Sequence, residues 1–219
     1  MKKGFYMKKL CLAAMVATVL VGCNAGDEVV EHGGIDINNL SQTQKQEYAE
    51  LTADALAVIA QAADNCSNGM AVGEKKQCDL SASNTTANII VAKGQIDIEQ
   101  QENQTVIVHT TKAMEFTSPN AVTNGEVISL NFSENLDKDY NMTLKTLPGG
   151  NNVTFKGMLI NTADSDAKYW STESTTGLEL KYNENFELPS LNNGNAVITG
   201  KDNQKFNWSA DSNGDITAQ

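Results

Sequence analysis

Val127-Ile128-Ser129-Leu130-Asn131-Phe132 decides the fold by its period. Ile128, Leu130 and Phe132 fall on one side of an extended chain, and Ser129 and Asn131 on the other. A period of two marks a strand with one buried and one wet face. The same pattern recurs on both sides of this stretch. Ile96 and Ile98 alternate with polar residues, Met142 and Leu144 do so later, and Val153, Phe155 and Leu159 share a face. Leu178, Leu180 and Tyr182 share another, as do Phe206 and Trp208, and short apolar runs stand at Ile89-Ile90-Val91 and Val106-Ile107-Val108. Turn signals separate them: Ala92-Lys93-Gly94, Asn124-Gly125, Pro148-Gly149-Gly150, Asn192-Asn193-Gly194, Lys201-Asp202-Asn203 and Ser212-Asn213-Gly214. Asn and Gly tolerate the positive φ of tight hairpins. Some nine to eleven strands are expected, with no helix-length pattern between them, which favours an antiparallel meander over a parallel α/β fold. No fixed-period repeat points to a propeller or solenoid. The pattern leaves open a curved sheet, a sandwich or a barrel.

Upstream, the period changes. Tyr48, Leu51, Ala55, Leu56, Ile59, Ala62 and Ala63 recur at spacings of three and four, predicting a helix over 41–65. Ser41 with Gln44 has the form of a capping box, in which each side chain satisfies a backbone N–H at the helix start. The expected class is mainly β, of the α+β kind: one N-terminal helix packed on a face or end of a large antiparallel sheet. The expected body is a single domain over 41–219, made of that helix, an irregular disulfide loop over 66–80 and the sheet over 86–217. Residues 23–40, polar and glycine-rich with acids at Asp27, Glu28 and Glu31, are expected to be a flexible tether.

The first 22 residues have three parts. Lys2, Lys3, Lys8 and Lys9 form a positive start, Leu10 to Val21 is apolar, and small residues precede Cys23. The apolar run is shorter than the roughly 20 residues a membrane-spanning helix needs, so 1–22 reads as a secretory signal. Leu20-Val21-Gly22-Cys23 resembles the lipobox of bacterial lipoproteins. The resemblance implies cleavage before Cys23, a diacylglycerol thioether on its sulfur and an acyl chain such as palmitate on its new amine. Two or more chains anchor a protein stably in a bilayer. Asn24 follows the cysteine where an aspartate would be the usual inner-membrane retention signal, so the resemblance implies an outer-membrane location in the cell envelope.

All 16 basic residues are lysine. The chain past the signal keeps 12 of them against 27 acids, a formal charge of −15. Without arginine there is no planar fork for bidentate binding of phosphate or carboxylate. With this charge, nucleic acid is not an expected partner. A membrane-spanning barrel is not expected either, because the strand exteriors carry Lys, Asn and Glu and the aromatics are too few for interfacial girdles.

Cys11 leaves with the signal and Cys23 is taken by lipid, so Cys66 and Cys78 remain as an even pair in an oxidising compartment. A disulfide is expected. A two-cysteine metal site is the alternative, but it lacks a nearby histidine and zinc takes four ligands. His32 lies in the tether and His109 at a strand end, with no catalytic motif around either. Asp211, Asn213 and Asp215 place oxygens at alternate positions as in a calcium loop. Ile216 stands where the calcium hand needs glycine, and a hairpin turn is the favoured reading. No catalytic residue and no cofactor are expected. The sequence thus leads to a non-enzymatic surface or periplasmic binding or structural lipoprotein, held to the bilayer through acylated Cys23. The alternative is a carrier of an apolar ligand or lipid, in a cavity lined by residues such as Phe132, Leu144, Phe155, Leu180 and Trp208.

Overall fold

Helix α1 (Gln42–Ser67) starts where the capping signal places it. The Ser41 hydroxyl accepts from the Gln44 backbone N–H at 3.2 Å, and the Gln44 side chain accepts from the Ser41 N–H at 2.9 Å. The computed structural model describes residues 34–80, 86, 89, 91–118, 127–132, 140–148, 150–161, 168–182 and 188–219. In it, α1 does not lie on a sheet with one face to water. Between Tyr48 and Ala63 only Glu50 and Asp54 escape full burial. The alanines between the larger residues are buried too, so the buried face is much wider than the expected apolar stripe and leaves only Glu50 and Asp54 partly exposed. A helix with so wide an apolar surface belongs in an interior, and alanine lets strands approach it closely from several sides.

The enclosing sheet has fourteen strands among the described residues, every pairing antiparallel. They are β1 (Lys75–Asp79), β2 (Val91–Lys93), β3 (Gln95–Gln101), β4 (Thr105–His109), β5 (Met114–Thr117), β6 (Val127–Asn131), β7 (Asn141–Leu147), β8 (Gly150–Asn161), β9 (Lys168–Ser174), β10 (Leu178–Tyr182), β11 (Pro189–Asn192), β12 (Gly194–Thr199), β13 (Lys205–Ala210) and β14 (Ile216–Ala218). The count exceeds the expected nine to eleven because short strands such as β11 and β14 carry too few residues to show a period. The mainly-β α+β class holds, and the sheet is not closed into a barrel: β1, β2, β11 and β14 each pair on one side only among the described residues.

Twelve-residue β8 organises the sheet. Its first half pairs β7 on one edge and β10 on the other, and its second half pairs β6 and β9. Two wings therefore diverge from it. One runs β1-β3-β4-β7-β8-β10-β11 and the other β2-β5-β6-β8-β9-β12-β13-β14. At the fork the β10 and β9 pairings leave a gap at Phe155. The Ser174 hydroxyl fills it, accepting from the Phe155 N–H at 3.0 Å and donating to the Phe155 carbonyl at 3.3 Å. A buried fork would otherwise strand two backbone groups. Gly157, just beyond, gives room for Phe132: a Cβ there would sit 2.5 Å from its ring.

Both wings turn apolar side chains toward α1. Met142 opposes Phe155, Leu144 opposes Val153, and Ala196 opposes Trp208, all of them buried in one cluster with the helix. Trp170 donates its indole N–H to the Thr52 hydroxyl at 3.0 Å and meets Tyr48 edge-on at 5.0 Å. Helix glutamines also finish the edge of β14. Gln46 donates to the Ile216 carbonyl at 2.5 Å and accepts from the Ala218 N–H at 2.9 Å, and Gln42 donates to the Ala218 carbonyl at 2.7 Å.

Two expected boundaries move. The tether expected over 23–40 is at least partly folded: Ile35 and Ile37 are 3% and 1% exposed, the Ile35 N–H donates to the Tyr169 carbonyl, and the Lys201 N–H donates to the Ile35 carbonyl, both at 2.9 Å. A Cβ at Gly200 would run into that same Ile35 oxygen. The loop expected to be irregular over 66–80 contains β1, which pairs β3 in register from Lys75↔Glu99 to Asp79↔Gln95. Its side chains are exposed except Cys78, so it shows no clear alternation to read.

Candidate functional site

An open cleft of about 560 Å³ lies between α1, the β10–β11 pair and the β13–β14 turn. Glu50 and Asp54 line it from the helix, Lys181, Tyr182 and Pro189 from the paired strands, and Ser212 to Ile216 from the turn. These side chains come from three separate parts of the chain, and only tertiary packing assembles them.

The cleft is built on side-chain hydrogen bonds. Asn192, 2% exposed, donates to the Ser212 carbonyl at 3.0 Å and accepts from the Ser190 hydroxyl at 2.7 Å. It ties the β13–β14 turn to β11. Tyr182 donates its hydroxyl to Asp64 at 2.7 Å, and Asn151 donates to the other Asp64 oxygen at 2.6 Å. Thr146 in turn donates to Asn151 at 2.9 Å. Burial, then the hydrogen bond to the Asp64 carboxylate and its charge, pushes the Tyr182 phenol well above its ordinary range. It stays protonated at neutral pH and serves as a strut, not a base. At the outer edge, Asn193 and then Lys181 hold the Glu179 carboxyl below the usual carboxylate range; their contacts are 2.9 and 3.2 Å.

The calcium-loop positions Asp211, Asn213 and Asp215 lie in the β13–β14 turn beside this cleft. One Asp211 oxygen accepts from the Asn213 N–H at 2.7 Å and from the Asp215 N–H at 3.0 Å. That carboxylate closes the turn on itself, as short polar side chains do. Among the described residues no group of three or more His, Cys, Asp or Glu converges as a metal site. His109 ends β4 on the outer face, opposite Asp97. Asp97 itself accepts from Gln77 and from the Thr111 N–H. Cys66 and Cys78 are joined as a disulfide with Cα atoms 6.4 Å apart, fastening the end of α1 to β1. Cys23 and His32 lie outside the described residues.

The five residues named for an apolar cavity take another place. Phe132, Leu144, Phe155, Leu180 and Trp208 are buried in the core around α1, and Phe155 stacks on Trp208 with centroids 6.3 Å apart. None of them lines the open cleft. Two polar atoms in this region, Thr172 Oγ1 and Trp208 Nε1, are buried without a hydrogen-bond partner. Sequence reasoning missed Asn192, Ser190 and Glu50 as parts of a site. The only local signal was an Asn next to an Asn-Gly turn, which read as a hairpin. Among the described residues no helix is long and apolar enough to cross a membrane. The chain matches no protein-family model, no curated protein and no solved structure.

Proposed function

We propose that this chain is a lipid-anchored, non-enzymatic binding protein of the bacterial cell envelope, held through Cys23 and presenting its cleft away from the membrane. The observation that carries this reading is the placement of the two ends of β12. Lys201, two residues after the strand, holds Ile35 of the N-terminal segment. Asn192, which floors the cleft, comes just before the strand. The six residues of the strand span about 20 Å at about 3.3 Å per residue. The start of the described chain and the cleft therefore lie at opposite ends of β12, which supports a cleft that faces away from the anchor. The cleft volume falls in the range of small-molecule sites, and among the described residues Asn192, Ser190 and Tyr182 are engaged in side-chain hydrogen bonds that shape it.

The test of the anchor is intact mass spectrometry of the protein extracted from membranes. A diacylglycerol thioether on Cys23 with the Cys66–Cys78 bond intact is the expected result. A Cys23→Ala chain that still fractionates with membranes would overturn the anchor.

A second reading, a carrier of an apolar ligand, is favoured by one observation. Two buried polar groups without a hydrogen-bond partner, one of them the indole N–H of Trp208, which stacks on Phe155, are a pattern that ligand pockets share. Lipid that co-purifies with the wild-type chain and is lost in Trp208→Ala, with the fold retained by circular dichroism, would support it. A delipidated preparation with the same stability as the native one would count against it.

A further inference from the structure

We propose that residues 34–40 form a clasp that takes the pull of the membrane anchor and stops it short of α1. This rests on the reading of Cys23 as the anchor and adds what the fold does with the load. β12 leaves β9 after the pair Thr199↔Ser171. The edge of β9 beyond that pair is taken by the N-terminal segment. Gly34 bridges Tyr169 in parallel, and the Ile35 N–H donates to the Tyr169 carbonyl at 2.9 Å. On its other side the Ile35 carbonyl accepts from the Lys201 N–H at 2.9 Å. A pull along the segment therefore loads both bonds together, not one after the other. Farther on, the Asn38 N–H donates to the Gln204 side chain at 3.0 Å, and a single helical turn over Ile37–Asn39 leads the chain to the Ser41 cap.

The seat is shaped for this segment. Ile35 and Ile37 are buried, and Leu40 packs against the same core. Gly200 has extended backbone, φ −114°, so its glycine is needed for closeness and not for conformation. A Cβ there would run into the Ile35 oxygen and crowd the Ile35 and Ile37 side chains at 2.9 and 3.1 Å. The first residues of a domain stay loose unless they are tied down, and here they are tied to β9 and to the turn after β12. α1 begins directly after them and is the helix against which both wings pack. Without the clasp, tension from the N-terminal side would fall on Ser41 and draw first on that helix. With it, the load passes into the sheet.

The test is single-molecule stretching of the mature chain, Cys23 to Gln219, made without lipid. Cys23 is its one free thiol, because Cys66 and Cys78 are joined, and it takes one handle. The other handle sits on an azide-bearing residue in place of exposed Glu102, in the β3–β4 turn. The wild type is expected to give no step before the body unfolds. Gly200→Ala should add an early step of at most about 25 Å, the reach of the seven residues 34–40, at about half the unfolding force or less. Gln204→Ala removes only the bond to Asn38 from a partly exposed site, so it keeps the test open where Gly200→Ala does not fold. It should show the same step at a force between those two. The clasp is overturned if the wild type already gives this step at the force of the variants, or if both variants stretch like the wild type. The handle is chemical, so the clasp is tested whether or not Cys23 carries lipid. Mass spectrometry without acylation would remove the anchor and leave the clasp, and equal traces would remove the clasp and leave the anchor.

Discussion

The two ends of β12 are held by different physics. At the Lys201 end the contacts are backbone hydrogen bonds to Ile35 and the burial of Ile35 and Ile37 against the body. At the Asn192 end, side-chain bonds of Asn192 with the Ser212 carbonyl and the Ser190 hydroxyl join a backbone bond from Asn193 to Asp211, and the space beyond stays open. The first end is apolar and closed, so it resists change. The second is polar and shaped, so a few substitutions can alter it while the core stays as it is. One strand thus carries a closed end at Ile35 and an open end at the cleft.

The contrast is sharpest in stability. Ile37→Ala should cost about 3 kcal/mol, through lost burial and the cavity left behind. Asn192→Ala should cost about 2 kcal/mol, because it leaves the Ser212 carbonyl and the Ser190 hydroxyl without their partner. Chemical denaturation of both variants checks the order, and equal losses would break the comparison. Hydrogen exchange sharpens it: Asn192→Ala should speed exchange in the 211–216 turn and leave the Ile35 amide protected.

Between the ends, Thr172→Val should raise stability by about 1 kcal/mol, since it removes a buried hydroxyl that has no partner and keeps the shape. A loss of stability instead would mean that the hydroxyl is satisfied in solution. The smallest effect concerns alkaline pH. The Tyr182 phenol is raised in the folded protein from an unfolded value near 10.0. The folded state therefore keeps a proton that the unfolded state releases, so this contribution is complete below pH 10 and is lost as pH rises above it. Tyr182→Phe should flatten the alkaline limb of stability against pH, measured by denaturation from pH 8 to 11. An unchanged limb would show that the Asp64 strut does not carry this dependence.

Much of the fold was legible because its signals are local. Ser41 and Gln44 lie three residues apart, and the alternation in β6 and β8 extends over a few positions. The turns at Pro148-Gly149-Gly150, Lys201-Asp202-Asn203 and Ser212-Asn213-Gly214 join strands that do pair. The turns at Ala92-Lys93-Gly94 and Asn192-Asn193-Gly194 carry similar residues yet join strands that do not pair with each other. There β2 passes to β3, and β11 to β12, from one wing to the other. Turn chemistry permits a reversal or a corner and does not choose between them. The alanines of α1 were ambiguous in the same way, since alanine suits a wet helix face and a tightly packed one. The cleft was illegible because Glu50, Asn192 and Asp215 have no local relation.

The sequence by itself determined the helix, the strand character and the negative charge, and it made Cys66 with Cys78 the expected pair, which the structure joins. Each follows from neighbours along the chain or from counting residues. The tertiary structure alone decided that β8 is shared between two wings, that α1 is buried apart from Glu50 and Asp54 over its central turns, and that a cleft opens beside those two residues. Those features depend on contacts between distant segments, and their energy is the burial of apolar surface. That driving force is non-directional, so the local pattern selects the elements and the packing selects their arrangement.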